Sequence, residues 1–585
     1  MQVDPMTARS SNGRRLRAVA LFAAVTLLFG SLTGTVLAKA PQHAINARSI
    51  DVQLLAINDF HGNLEPPSGS SGRIVSEGVT TDAGGVEYLA TWIHKLEATN
   101  PKNTLVVSAG DNIGASPLIS GFFHDEPTIE ALNALGLDIS SVGNHEFDEG
   151  SAELLRMQNG GCHPVDGCFG GDGFSGADFP YLAANVIVNA TGKTLFPAYK
   201  IKKMHGVKIG FIGLTLEGTP SIVTPAGVAG LTFLPEVPTI NKYAGELQAK
   251  GVQAIVVLLH QGGFQNGTNI SVNGCEGLSG AITDIVNGGV SPAVDVILSG
   301  HTHQFYNCIV DNNGHQMLLT QASSFGRVIT DVNLQIDRAT KDVVGMSANN
   351  VIVDRLVAPD PAETAIVQKY KGLSDAISQQ VVGQMDADQI TRDPSAAGES
   401  ALGDVIADAQ LAAMSAPGFD AQVAFMNPGG IRADLVCHAG DTPPCDQTFG
   451  DLFTVQPFAN DMVAYDLTGA DIDTLLEEQF DNPTPGEQRF LQVSSNFTYE
   501  WSASAAVGNK VDPSTIKING VVVDPTATYR ITTNSFLSGG GDNFTILASG
   551  TNRVIGPVDL NALVDYFGAN SPIAPPALNR IVMVP

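Results

Sequence analysis

Five short segments place metal-binding side chains directly after apolar runs. "INDFHGN" carries Asp59 and His61, "SAGDNIG" carries Asp111, and "SVGNHEFDEG" carries Asn144 and His145. "LLHQGG" adds His260, and "SGHTHQ" adds His301 and His303. Any one of these histidines alone reads as an ordinary structural or surface residue; five coincidences at the ends of apolar runs do not. Oxygen and imidazole donors without thiolates suit Zn, Mn, Co or Fe better than Mg or Ca. The donors exceed what one ion needs, which points to two divalent metal ions sharing a bridge. Asp-x-His offers two donors from one loop, and Asp111, on a loop between Gly110 and Gly114, can present one oxygen to each ion.

The elements that must position these donors are short and apolar. "VQLLAI", "TLVVSAG", "IVVLLH" and "DVILSGH" are rich in Val, Ile and Leu and end in Gly or polar residues, as buried strands do. Helical patterns such as "GVEYLATWIHKLEAT" lie between them. This alternation over residues 50 to 350 predicts an α/β layered domain, in which strand carboxyl ends face one shared crevice. In "VAPDPAETAIVQKYKGLSDAISQQ", Asp360 reads as an N-cap, Pro361 as the first helical position and Glu363 as the second half of a box-like cap. Ile366, Tyr370, Leu373 and Ile377 then mark one face of a connecting helix.

The chain has 585 residues, enough for two or more full cores, and a globular composition with 43% hydrophobic and 15% charged residues. Its formal charge is −28, although the first 40 residues carry five basic groups and one Asp. The remainder therefore repels nucleic-acid polymers and anionic membranes. Arg14, Arg15 and Arg17 precede the apolar run Ala18–Leu28, and "TVLAKA" follows. This is the pattern of a signal peptide cleaved after Ala38 or Ala40, which implies a secreted, periplasmic or cell-envelope protein with no membrane span after cleavage. The six cysteines contain no CxxC pair, and an oxidising compartment favours three disulfides. Sequence proximity pairs Cys162 with Cys168, Cys275 with Cys308, and Cys437 with Cys445.

The ordered set DxH, GD, GNH, H and GHxH resembles the calcineurin-like metallophosphoesterases. "NDFHGN", "GDNIGASP" and "GNHEFDEG" look more narrowly like the 5′-nucleotidase branch, which includes bacterial UDP-sugar hydrolases and animal ecto-5′-nucleotidases. The resemblance covers residues 50–585. It implies a layered α/β/β/α metallophosphoesterase domain (41–355), a linker helix (356–380) and an α+β nucleotide-binding domain (381–585). Asp59, His61, Asp111 and His303 would hold one ion, and Asp111, Asn144, His260 and His301 the other. Relatives often carry Gln in place of His303, and Gln304 stands beside it. His145, charged and oriented by Asp148, would stabilise the phosphoryl group or protonate the leaving oxygen, while Glu146 would serve the turn. Phe458 and Phe536 would sandwich a base, Asp542 would meet the ribose or the clamp loop, and Asn427 and Arg432 would approach base and phosphate. The family's phosphate-gripping Arg has no counterpart in 393–407; Arg392, upstream, is the available substitute. The implied substrate is a nucleoside 5′-monophosphate, with UDP-sugars as further candidates. The alternatives are a 2′,3′-cyclic-nucleotide phosphodiesterase with 3′-nucleotidase activity, and a non-catalytic nucleotide-binding surface protein.

Overall fold

Two six-stranded sheets lie face to face in the first half of the chain. The computed structural model describes residues 48–585 except 68, 170–172, 224–226, 268–269, 313, 459 and 484–485; the expected signal peptide lies outside the described residues. The first sheet runs Val343–Ile352, Val328–Asp337, Ser49–Ile57, Thr104–Ser108, Ile139–Ser141 and Tyr181–Leu182, its last four strands parallel. The second runs Phe305–Asn312, His315–Ala322, Val296–Ser299, Ala254–Leu259, Val207–Leu214 and Tyr199–Met204, with the four central strands parallel.

The continuous apolar runs have a direct cause. Leu54, Val107, Phe211 and Leu258 meet between the two sheets. Their chain neighbours turn outward: Leu55 and Val106 pack on the helices Val86–Glu97 and Glu126–Ala134, and Val257 and Leu259 on Glu236–Ala249 and Ala281–Asn287. Both faces of each sheet are therefore covered, and alternation between polar and apolar residues is lost. The result is the expected four-layer α/β/β/α arrangement. Every parallel strand that the sequence marks as donor-bearing ends at the same rim.

The second half is built on a five-stranded mixed sheet, ordered Gln492–Val493, Val423–Met426, Thr528–Asn534, Asp461–Thr468 and Thr551–Val558, with a four-stranded sheet beside it. Val423–Met426 and Thr528–Asn534 are parallel neighbours, so Asn427 and Phe536 leave the sheet at the same end. The described chain groups as one unit rather than separating at the connector.

The connecting helix spans Pro361–Ser378, and Asp360 caps it by accepting from the N–H groups of Ala362 and Glu363. Two details differ from the sequence expectation. Among the described residues the Glu363 carboxylate has no hydrogen-bond partner, so the box is not closed, and burial pushes this group up to about 8. The buried face is Glu363, Val367, Tyr370 and Ser374, whereas Leu373 and Ile377 are exposed. Tyr370 sets this rotation: its hydroxyl donates to Glu130 at 2.9 Å and its ring meets Phe123.

Cys162–Cys168, Cys275–Cys308 and Cys437–Cys445 are all formed. Cys275–Cys308 staples the loop that follows His260 to the hairpin that follows His303, across 33 residues of sequence. Replacing both cysteines by Ser should lower unfolding free energy by about 3–4 kcal/mol, the loop-closure value for such a span. Urea denaturation under oxidising conditions measures it, and an unchanged midpoint would show that the link adds no constraint.

Candidate metal centre and substrate cleft

The strand ends deliver their side chains to two adjoining clusters, Asp59–His61–His303 and Asp111–His260–His301. In the first, His61 Nε2 lies 3.1 Å from His303 Nε2, and His303 Nε2 lies 3.7 Å from Asp59 Oδ1. His303 is thus the residue that points inward; the Gln304 amide donates to the carbonyl of Thr302. In the second, His260 Nε2 lies 2.9 Å from Asp111 Oδ2 and 3.2 Å from Asn144 Oδ1, and His301 Nδ1 lies 3.0 Å from Asn144 Oδ1. Asp111 Oδ2 also stands 3.8 Å from His61 Nε2, so a single oxygen faces both clusters.

The donor chemistry fits cations at these points. His61 gives its Nδ1–H to the carbonyl of Gly114 and His260 gives its own to Ala109, both at 2.8 Å, which turns each Nε2 into the cluster. Burial holds His61 and His303 well below the ordinary imidazole range and takes His301 down to about 3, so these rings are neutral donors. Burial also raises Asp59 to about 7, opposed by the neighbouring His260. Burial disfavours the charged form of His260 too, but Asp111 more than offsets it and holds the ring near 10, a proton standing where several acceptors converge. A divalent ion answers those acceptors as the proton does.

Holding seven donors at one rim strains the backbone. Asp59, His61, Asp111, His301 and His303 all adopt positive φ, between 48° and 73°, a region that costs non-glycine residues energy and persists where surroundings over-determine it. Glu146 supplies much of that determination. Its carboxylate accepts from the N–H groups of Asp111, Asn112 and Gly143 at 2.9, 2.8 and 2.6 Å, joining two strand ends. Asn58, unremarked in the sequence, donates to Asp59 Oδ2 at 2.6 Å and to the Ser323 carbonyl; its position next to the DxH motif was the available signal.

His145 stands beside the clusters. Its N–H donates to Asp111 Oδ1 at 2.8 Å, and its Nδ1 pairs with Asp148 Oδ2 at 2.8 Å. Burial presses the imidazole down, and Asp148 and Asp111 more than offset this, leaving its pKa above the ordinary value. Asn144, His145, Asp148 and His301 form one wall of a cleft of about 210 Å³. The opposite wall holds Asn427, Arg432, Phe458, Phe536 and Asp542. The Phe458 ring lies nearly parallel to His145, centroids 5.7 Å apart, and the Arg432 guanidinium lies 5.6 Å from the centre of the Phe458 ring. Asp542 accepts from Asn427 at 2.9 Å and from Arg489 at 2.6 Å, and thereby fixes the clamp loop.

Arg392 stands beside the cleft, close enough that its charge helps to lower Arg432. It is not among the residues lining the cleft; its guanidinium donates to the carbonyl of Ile431 at 2.7 Å. The cleft's second guanidinium is that of Arg489, which sequence reading missed because it follows a proline-interrupted loop, far from any motif.

Comparison with known proteins agrees with this geometry. Residues 52–305 match the family model of calcineurin-like phosphoesterases, and residues 381–549 that of the 5′-nucleotidase C-terminal domain. The chain is 36% identical over 531 residues to endonuclease YhcR of Bacillus subtilis, covering 90% of this chain and 40% of that protein. It is 32% identical over 550 residues to cell wall protein Lmo0130 of Listeria monocytogenes, covering 90% of this chain and 67% of that one. Among solved structures, the 5′-nucleotidase precursor from Thermus thermophilus superposes with a TM-score of 0.72 at 26% identity, covering 92% of this chain and 99% of that chain. The chain belongs to the 5′-nucleotidase family, with a calcineurin-like phosphoesterase segment ahead of the 5′-nucleotidase C-terminal domain.

Gly143 tests the packing of this rim. A Cβ there would stand 2.1 Å from Asp111 Oδ1 and 2.6 Å from the Asp111 backbone nitrogen, and the backbone cannot move aside without breaking the Glu146 brace. Gly143→Ala should leave the circular dichroism spectrum intact while lowering divalent-metal affinity at least tenfold. Unchanged affinity in a metal titration would show that the two strand ends are not held in contact.

Proposed function

We propose that this chain is an exported phosphohydrolase with two divalent ions that cleaves nucleoside 5′-monophosphates to nucleoside and phosphate. The observation that carries the reading is the shared cleft: the donor-bearing rim and an aromatic, Arg-containing wall enclose the same space. In this reading the domains run 41–355 and 381–585, with residues 356–380 as the connector about which they close. The signal-like N-terminus and three disulfides support passage to an oxidising compartment. The partner is a small nucleotide rather than a polymer, given the strongly negative charge.

Asp59, His61, Asp111 and His303 would hold one ion, and Asp111, Asn144, His260 and His301 the second, with Zn, Mn, Co or Fe suiting the donors. Such a pair supplies charge that offsets the phosphoryl oxygens and makes water a competent nucleophile near neutral pH. The protein's own residues do the rest. Arg432 and Arg489 bring positive charge to the cleft; burial lowers Arg432 only to about 10, so it stays protonated at neutral pH. Phe458 and Phe536 present apolar faces for a base, a contact worth about 1–3 kcal/mol. Asn427, held by Asp542 and Asn534, offers a fixed polar edge. His145 holds a proton at Nε2 while Asp148 accepts at Nδ1, and donates it toward the departing oxygen.

A hydrolysis panel of AMP, 3′-AMP, 2′,3′-cAMP, UDP-glucose and a DNA oligonucleotide, with the products separated by chromatography, tests the substrate. AMP should be the fastest; turnover of 3′-AMP and the cyclic nucleotide without AMP would replace this reading with its rival. The pH profile tests His145. Because Asp148 raises its pKa, the proton-donating form is lost as pH rises through that raised value. Asp148→Asn should therefore move the alkaline fall in AMP hydrolysis to lower pH. A reduced rate with an unmoved alkaline limb would assign Asp148 to orientation alone.

A further inference from the structure

A second mixed cluster lies outside the set of donors described above. One donor atom from each of His124, Glu149 and His163 lies within 4.8 Å of the others. The two imidazoles are stacked, with centroids 3.8 Å apart and planes at 20°. Asp166 Oδ2 stands 3.0 Å from His124 Nε2 and 3.2 Å from His163 Nδ1, and Glu149 Oε2 stands 2.6 Å from His124 Nδ1. His163 and Asp166 share the loop "CHPVDGC", which the Cys162–Cys168 disulfide closes and reciprocal His163–Gly167 backbone hydrogen bonds pin. The adjoining chamber, about 430 Å³, is lined by six carboxylates, among them Asp125 and Glu153, and among the described residues by no Lys or Arg.

We propose that His124, His163, Glu149 and Asp166 form a separate divalent-cation site, of zinc type, that clasps the disulfide-closed loop to the start of the helices at 126 and 151. Two imidazoles with carboxylates, and no thiolate, make a donor set that zinc accepts readily. An imidazole gives only one nitrogen to one ion. One of the two carboxylates flanking His124 therefore joins the ion, and the other accepts from the opposite N–H, the carboxylate–histidine–metal pattern that fixes ring orientation and tautomer. Two stacked imidazoles this close cannot both carry protons without strong repulsion; a shared ion lets both stay neutral while balancing the two carboxylates. Glu149 follows Asp148 in the chain, so the clasp abuts the turn that carries His145. The inference rests on this geometry alone and stands apart from the phosphohydrolase reading.

Zinc content measured as a difference tests it. The full chain, stripped by chelator and re-equilibrated with Zn²⁺ alone, should hold one more zinc per polypeptide than His163→Ala, whatever number the Asp59–Asp111 centre retains. Asp166→Asn, which keeps the loop's shape, should lose that ion or bind it at least tenfold more weakly, since either an inner or an outer carboxylate matters to that degree. If His163→Ala fails to fold, Asp166→Asn decides. Equal zinc content and affinity in the wild type and in Asp166→Asn would overturn the site and leave His124 as an imidazolium clamped between two carboxylates.

Discussion

Two carboxylates, Asp59 and Asp111, are buried to 0% and 1% exposure at the meeting point of two sheets. Burying such charge without compensation is prohibitive, and the compensation here is uneven: burial pushes against Asp111, yet His260 and His145 hold it well below the carboxylate range, whereas burial raises Asp59 to about 7 and drives the nearby rings of His61, His301 and His303 neutral. The rim makes sense as a socket for positive charge. Its other features follow: the left-handed backbone at five donor positions, the glycine that lets Asp111 approach Gly143, and the Glu146 carboxylate that binds two strand ends by their N–H groups.

The same constraint explains how selectivity is divided. A charged socket alone attracts many phosphate esters. The second half of the chain adds Phe458, Phe536, Asn427 and two arginines to the cleft lining, and in the proposed reading these would favour a ligand with both an anionic end and a flat apolar end. Phe458 lies against His145, which in the proposed reading would couple the base-facing wall to the proton-bearing side chain. A single helix joins the halves, packed through Tyr370 on the first, and closure about it would bring both walls onto a ligand.

The donor set was legible in the sequence because its geometry is local: a ligand at a strand's carboxyl end must follow an apolar run within a few residues. The layered fold was legible for the related reason that strands covered on both faces lose alternation. What stayed hidden depends on distant packing. The connector's buried face turns on Tyr370 finding Glu130, some 240 residues earlier in the chain. Arg489 enters the cleft because Asp542 holds it, a pairing no spacing reveals. Arg392, upstream of the motif and the available substitute for its missing Arg, donates to the Ile431 carbonyl, a contact no spacing foretells. The His163–Asp166 loop reads as a plain disulfide turn until the fold sets it against His124 and Glu149.

The most direct test of the socket is anomalous diffraction from crystals grown with saturating Mn²⁺. Two peaks should flank Asp111 Oδ2, one bordered by Asp59, His61 and His303, the other by Asn144, His260 and His301. A single peak at this rim, or none, in crystals shown by elemental analysis to be fully loaded would contradict the account.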